Sequence, residues 1–188
     1  REVVGHALAL LRAPEGAGGA MTSGGTDSIV MAVKSARDYA RSRGLKGQGN
    51  LVAPFTAHPA FHKAAMMMDL DLRRVAAKDL LADAAAMEAA CDENTIMLVG
   101  SAPCFPFGLI DPVEALSDVA LRKNLWLHVD ACVGGFLAPF VEMNGVALPA
   151  WDFRVAGVRS ISSDLHKYGY CSKGASTLLF RDQAMKEH

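Results

Sequence analysis

Hydrophobic positions along the chain alternate between a helical spacing and short apolar runs of strand type. Over residues 2–11, Val3, Val4, Ala7, Leu8 and Leu11 share one stripe, the spacing of an amphipathic helix. Residues 13–20, rich in glycine and carrying Pro14, break it. A second helical pattern puts Ile29, Val33, Ala36 and Ala40 on one face and closes at Gly44. Residues 51–55 read as a short strand, and His58-Pro59 opens a further helix through Met68, since proline fits a first turn. Residues 79–90 read as an Ala-rich helix, 95–100 as a buried strand and 101–108 as a turn-rich loop. A helix over 112–123 and a strand over 125–129 ending on Asp130 follow. After a mixed apolar segment to Met143 and an irregular stretch through Gly157, two strands, 159–162 and 176–180, close the pattern around Lys167. Strands alternating with helices predict an α/β fold, a mostly parallel sheet with helices on both faces. Ligands bind such sheets outside the carboxyl ends of the strands, where Ser101, Asp130 and the Lys167 loop fall.

Composition narrows this picture. The chain has 188 residues, 51% of them hydrophobic, enough for one sizeable core. A formal net charge of −1 gives no electrostatic footprint for nucleic acid or an anionic membrane surface. Four cysteines, Cys91, Cys104, Cys132 and Cys171, form no Cys-x-x-Cys pair, which argues against a disulfide framework and for a reducing compartment. No apolar run approaches the ~20 residues that span a bilayer, and the first residues carry no signal-peptide pattern. A soluble cytoplasmic protein is the expectation. Because the sequence starts at Arg1 and stops soon after a strand pattern, it is also expected to be a piece of something longer.

Four stretches carry candidate chemistry. Lys167 follows His166 at the end of a strand-like run, with Tyr168-Gly169 behind it. A lysine amine forms an imine with a carbonyl when deprotonated, and desolvation or nearby positive charge favours that form; a plain surface lysine on a loop is the alternative. Thr22-Ser23-Gly24-Gly25-Thr26 immediately precedes a helix, whose free N–H groups and dipole suit an anion, while Thr26 or Ser28 capping the helix accounts equally well for the stretch. It is not a P-loop, because the Gly-Lys-Ser/Thr ending is absent. Asp130 ends an apolar strand, where a carboxylate needs a partner: a protonated pyridine nitrogen, a helix to cap or a salt bridge would serve. His58 and His62 have i, i+4 spacing, as zinc ligands on a helix do, but Pro59 stands where the metalloprotease motif needs glutamate and no third ligand stands out. Asp164 reads as a local hydrogen-bonding residue that fixes the Lys167 loop.

Taken in order, Thr22 to Ser28, Thr56 to Lys63, His128 to Phe136 and Ser160 to Gly169 resemble the group II decarboxylase family of pyridoxal-phosphate (PLP) enzymes of fold type I. Asp130-Ala131-Cys132 and Gly100-Ser101-Ala102-Pro103 are most similar to its sphingosine-1-phosphate lyase branch. The resemblance implies PLP joined to Lys167, its phosphate on Gly24, Gly25 and Thr26, its ring stacked on His58 and its ring nitrogen paired with Asp130. It makes His166 a phosphate or substrate contact. It implies cleavage of a phosphorylated long-chain amino alcohol to a fatty aldehyde and phosphoethanolamine, with amino-acid decarboxylation, or a non-catalytic binding module, as alternatives. The partners it implies are a small amino-bearing substrate and a second copy of the chain in a homodimer. Phe107 departs from the branch, many members of which carry histidine there, and its side chain offers no polar contact to a substrate at that place. The whole chain then corresponds to one large cofactor domain without the family's N-terminal segment and C-terminal small domain.

Overall fold

The computed structural model describes residues 1–188. Seven strands form one sheet in the order β1-β7-β6-β5-β4-β2-β3. They are β1 (Gly18–Thr22), β2 (Asn50–Pro54), β3 (Asp71–Val75), β4 (Thr95–Ser101), β5 (Trp126–Asp130), β6 (Val158–Asp164) and β7 (Ser176–Phe180). The run β6-β5-β4-β2-β3 is parallel, and β7 alone runs the other way, antiparallel to both β6 and β1. The helices are α1 (Glu2–Leu10), α2 (Gly25–Ser42), α3 (Ala60–Met67), α4 (Ala84–Ala89), α5 (Val113–Lys123) and α6 (Ala138–Met143). Helices α2 and α3 pack on one face against Leu51, Ala53, Val99, Trp126, Leu178 and Phe180. On the other face α1, α4 and α5 cover Val52, Leu98, Leu127, Val129, Ile161 and Leu179. Each fully buried aliphatic side chain contributes about 1.5–3 kcal/mol, so two such layers hold the sheet between them. The expected mostly parallel α/β sheet with helices on both faces is the observed one.

Three elements depart from the sequence reading. The glycine-rich break holds β1, whose glycines allow close pairing: a Cβ on Gly19 would lie 2.8 Å from the Leu178 carbonyl oxygen of β7. Strand β3 escapes the apolar pattern because it is the charged edge of the sheet, with Asp71, Arg73 and Arg74 in five residues and only β2 beside it. The helix expected over 79–90 is shorter. Asp79 and Leu80 adopt left-handed backbone angles, and α4 starts after Asp83, whose carboxylate accepts the N–H groups of Ala85 and Ala86.

Candidate active site

The carboxyl ends of β4, β5 and β6 and the start of α2 enclose a cavity of about 190 Å3. Its lining includes Gly25, Thr26, His58, Asp130, His166 and Lys167, so the structure brings these sequence-derived candidates together. Gly24 lies at the N-cap of α2 and borders an adjoining groove rather than the cavity. His62 is exposed on α3 and does not line the cavity.

Lys167 lies in the turn between β6 and β7, its Nζ 2.9 Å from Asp164 Oδ2. Asp164 is 2% exposed, and its other oxygen accepts the Ser176 hydroxyl at 2.5 Å. Burial works against a charged amine here, yet the Asp164 hydrogen bond, with help from the Asp130 charge, raises the Lys167 pKa above that of an ordinary lysine. The sequence reading expected desolvation or positive charge to favour the free amine. The structure sets carboxylates around it instead, and the resting side chain is an ammonium.

Asp130 ends β5 with both of its protein hydrogen bonds on one oxygen. Oδ1 accepts the Cys132 N–H at 3.1 Å and the Ser162 hydroxyl at 3.3 Å, leaving Oδ2 for a partner in the cavity. The His58 ring stands 5.2 Å from that of Phe105, edge to face, and its Nδ1 accepts the Ala60 N–H. His166 Nδ1 donates to the Ala175 carbonyl at 2.9 Å, so in the neutral ring Nε2 carries the lone pair. No side chain caps α2. Ser28, one of the two expected caps, turns inward to bond Thr22 and Ser176 at 2.6 and 2.9 Å. The first-turn amides therefore keep their donors for another acceptor.

Residues 1–187 match the pyridoxal-dependent decarboxylase conserved domain. The chain belongs to the pyridoxal-dependent decarboxylase family. It is 46% identical, over its whole length, to a sphingosine-1-phosphate lyase of Arabidopsis thaliana, of which it spans 36%. The structure of a Burkholderia pseudomallei sphingosine-1-phosphate lyase superposes with a TM-score of 0.96 at 43% identity, covering all of this chain and 45% of that one. A Lactobacillus brevis glutamate decarboxylase superposes with a TM-score of 0.88 at 28% identity, covering 98% of this chain and 45% of that one. The chain thus spans about a third to a half of the length of these relatives.

The cavity fits the family's cofactor, pyridoxal phosphate. A single lysine enters a space sized for an aromatic ring, a carboxylate oxygen stands free of protein partners, and an uncapped helix start adjoins both. Gly25 is required for a reason the sequence did not reveal. A Cβ there would lie 2.8 Å from both the Asp164 carboxylate and Cys132 Sγ, two groups that line the cavity with it. A bulky residue at Gly25 therefore disturbs the packing of Asp164 and Cys132 as well as the approach of a phosphate. Sequence reasoning also missed His128, Ser160 and Ser162, all buried on the face of the sheet that carries Asp130. A signal was present: polar residues recur at every second position, 128 and 130 on one strand, 160, 162 and 164 on the next.

Proposed function

We propose that this chain is the cofactor-holding domain of a PLP-dependent carbon–carbon lyase that cleaves a phosphorylated long-chain amino alcohol to a fatty aldehyde and phosphoethanolamine. The observation that carries the proposal is the convergence of Lys167, the free Asp130 oxygen, His58 and the uncapped α2 start on one cavity. Bound PLP supplies a conjugated pyridinium that takes up the electron pair released when a bond to the substrate's α-carbon breaks. Lys167 would be its covalent anchor, Gly24, Gly25, Thr26 and His166 would hold its phosphate, His58 would lie against its ring, and Asp130 would hold the ring nitrogen's proton. Helix α2 adds the positive end of its dipole to the phosphate-holding groups.

A groove beside the cavity favours a phosphorylated substrate. Beside the residues given to the cofactor phosphate it carries two further cations, Lys63 and Lys173, against the single carboxylate Asp27, which already accepts the N–H and hydroxyl of Ser23. Exposed apolar side chains, among them Phe55, Met66, Met67 and Tyr170, support a homodimer. Four free thiols support a reducing compartment such as the cytoplasm, and no helix is long and apolar enough to cross a membrane. Full-length, PLP-loaded protein is incubated with a sphingoid-base phosphate and, separately, with a panel of amino acids. Fatty aldehyde and phosphoethanolamine are the expected products. Carbon dioxide from an amino acid, with no aldehyde from the phosphorylated base, overturns the lyase in favour of a decarboxylase.

A further inference from the structure

Behind Asp130 runs a file of buried polar side chains to which the reading above gives no task. Trp126 Nε1–H donates to Ser160 Oγ at 2.7 Å. His128 Nδ1 lies 2.8 Å from that same oxygen, and His128 Nε2 lies 3.2 Å from Ser162 Oγ. Ser162 Oγ in turn meets Asp130 Oδ1 at 3.3 Å. The parallel register of β5 and β6 creates the file by setting His128 opposite Ser160 and Asp130 opposite Ser162. His128 and both serines are fully buried, with the Phe61 ring of α3 set edge to face with the imidazole, centroids 5.8 Å apart.

The two ends of the file fix the order of its protons. An indole nitrogen can only donate, and an ionised carboxylate can only accept. Ser160 receives the indole proton and passes its own to His128 Nδ1. The neutral imidazole then carries its hydrogen on Nε2 and donates it to Ser162, whose hydroxyl proton goes to Asp130. Any other order leaves the Ser162–Asp130 contact without a proton and the Ser160 proton without an acceptor. Burial keeps the ring neutral, holding its pKa down at about 4 against the pull of Asp130, the one charged group near it. The thiol of Cys132 donates to Ser162 Oγ at 3.4 Å, completing that hydroxyl's capacity of two bonds accepted and one given.

We infer that Trp126, Ser160, His128 and Ser162 form a one-way hydrogen-bond relay that positions Asp130, pinning Oδ1 so that Oδ2 faces the pyridine nitrogen of the cofactor. None of the four touches the cavity. They are positioning residues acting through one carboxylate, and the inference rests on Asp130 as the ring nitrogen's partner. An aligned carboxylate keeps that nitrogen protonated. The positive ring then makes it easier for the nitrogen joining Lys167 to the cofactor to lose its own proton. Loosening Asp130 weakens this influence, so the linking nitrogen holds its proton to higher pH.

The test is a pH titration of the cofactor's absorbance in full-length holoenzyme, with cofactor content measured alongside. Ser162→Ala is expected to move the midpoint upward by about half to one pH unit, the size of one hydrogen bond's contribution. Ser160→Ala moves it in the same direction by less, and Ser162→Thr, which keeps the hydroxyl, restores the wild-type value. Asp130→Asn is the control. If it leaves the midpoint unmoved, the reading of Asp130 fails and the relay with it. If Asp130→Asn moves the midpoint while Ser162→Ala, at equal cofactor content, does not, Asp130 stands and the relay is overturned. A shift in Ser162→Ala that Ser162→Thr fails to reverse also overturns it, assigning the effect to packing.

Discussion

A lysine that must lose its proton before it can attack a carbonyl rests here against a carboxylate. Asp164 holds Lys167 at 2.9 Å, while Asp130, His58, His166 and the Cys132 thiol line the same cavity. The sign follows from the shift: with the Lys167 pKa raised, the pair is intact below the ordinary lysine range and is lost only as pH climbs past the raised value. Removing the Asp164 charge takes away the hydrogen bond that most opposes burial and leaves mainly the Asp130 charge against it, so the pKa falls. In cofactor-free, full-length Asp164→Asn protein, modification of Lys167 by an amine reagent, followed by peptide mapping, should therefore set in at lower pH. Its rate near neutrality should rise about tenfold for each pKa unit lost. An unchanged pH profile would remove Asp164 from control of the amine. Lys167 itself was legible in the sequence because His166, Tyr168 and Gly169 surround it in a recognisable order. Its charge state was not, because that depends on a buried carboxylate whose second oxygen is fixed by Ser176, 12 residues further along the chain.

Among the elements, the start of α2 shows where local sequence is informative and where it stops being so. Glycines before a helical stripe announced an anion-ready terminus, and the uncapped helix start agrees with that. Which glycine has room for a side chain was hidden, since it depends on Asp164 from β6 and on Cys132 after β5. Gly24 faces open space but holds a φ of +143°, which side chains rarely allow, whereas the Cβ direction of Gly25 is blocked by those two residues. Strands β1 and β3 were missed for a related reason. One opens on two glycines whose value lies in close pairing and the other carries edge charges, so neither shows a hydrophobic rhythm. Gly25→Ala should therefore lower the thermal midpoint and PLP affinity together, at a cost in stability of about 1–3 kcal/mol for the inserted methyl. Differential scanning fluorimetry with a PLP titration reads both quantities. Wild-type stability in that variant would refute the close approach of that Cβ to Asp164 and Cys132.

At the scale of the whole molecule, the end of α1, the loop after α6 and α6 itself are tied by four charges well outside the cavity. The Asp152 side chain is fully buried and accepts Arg12 Nη1 at 2.7 Å and Arg154 Nε at 2.8 Å. Glu142 on α6 binds the same two guanidinium groups, each at 2.9 Å. The cluster helps to close the α1 face of the core, where Leu11, Trp151 and Phe153 pack together. A buried carboxylate is tolerated here because both of its oxygens are satisfied by guanidinium donors. Asp152→Ala removes that acceptor and leaves Arg12 and Arg154 only Glu142 and water. Since both arginines are partly exposed, the expected loss is about 2–4 kcal/mol, toward the lower end of what breaking a buried pair costs. None of the four residues lines the cavity, and substitutions at separated sites act independently. The thermal midpoint should fall in Asp152→Ala, while cofactor absorbance per folded molecule and the pH midpoint of that absorbance stay at their wild-type values. Thermal melts and absorbance titrations on one preparation decide the matter. A variant that keeps its melting temperature, or one that shifts the cofactor midpoint, would contradict the separation of this cluster from the active end of the sheet.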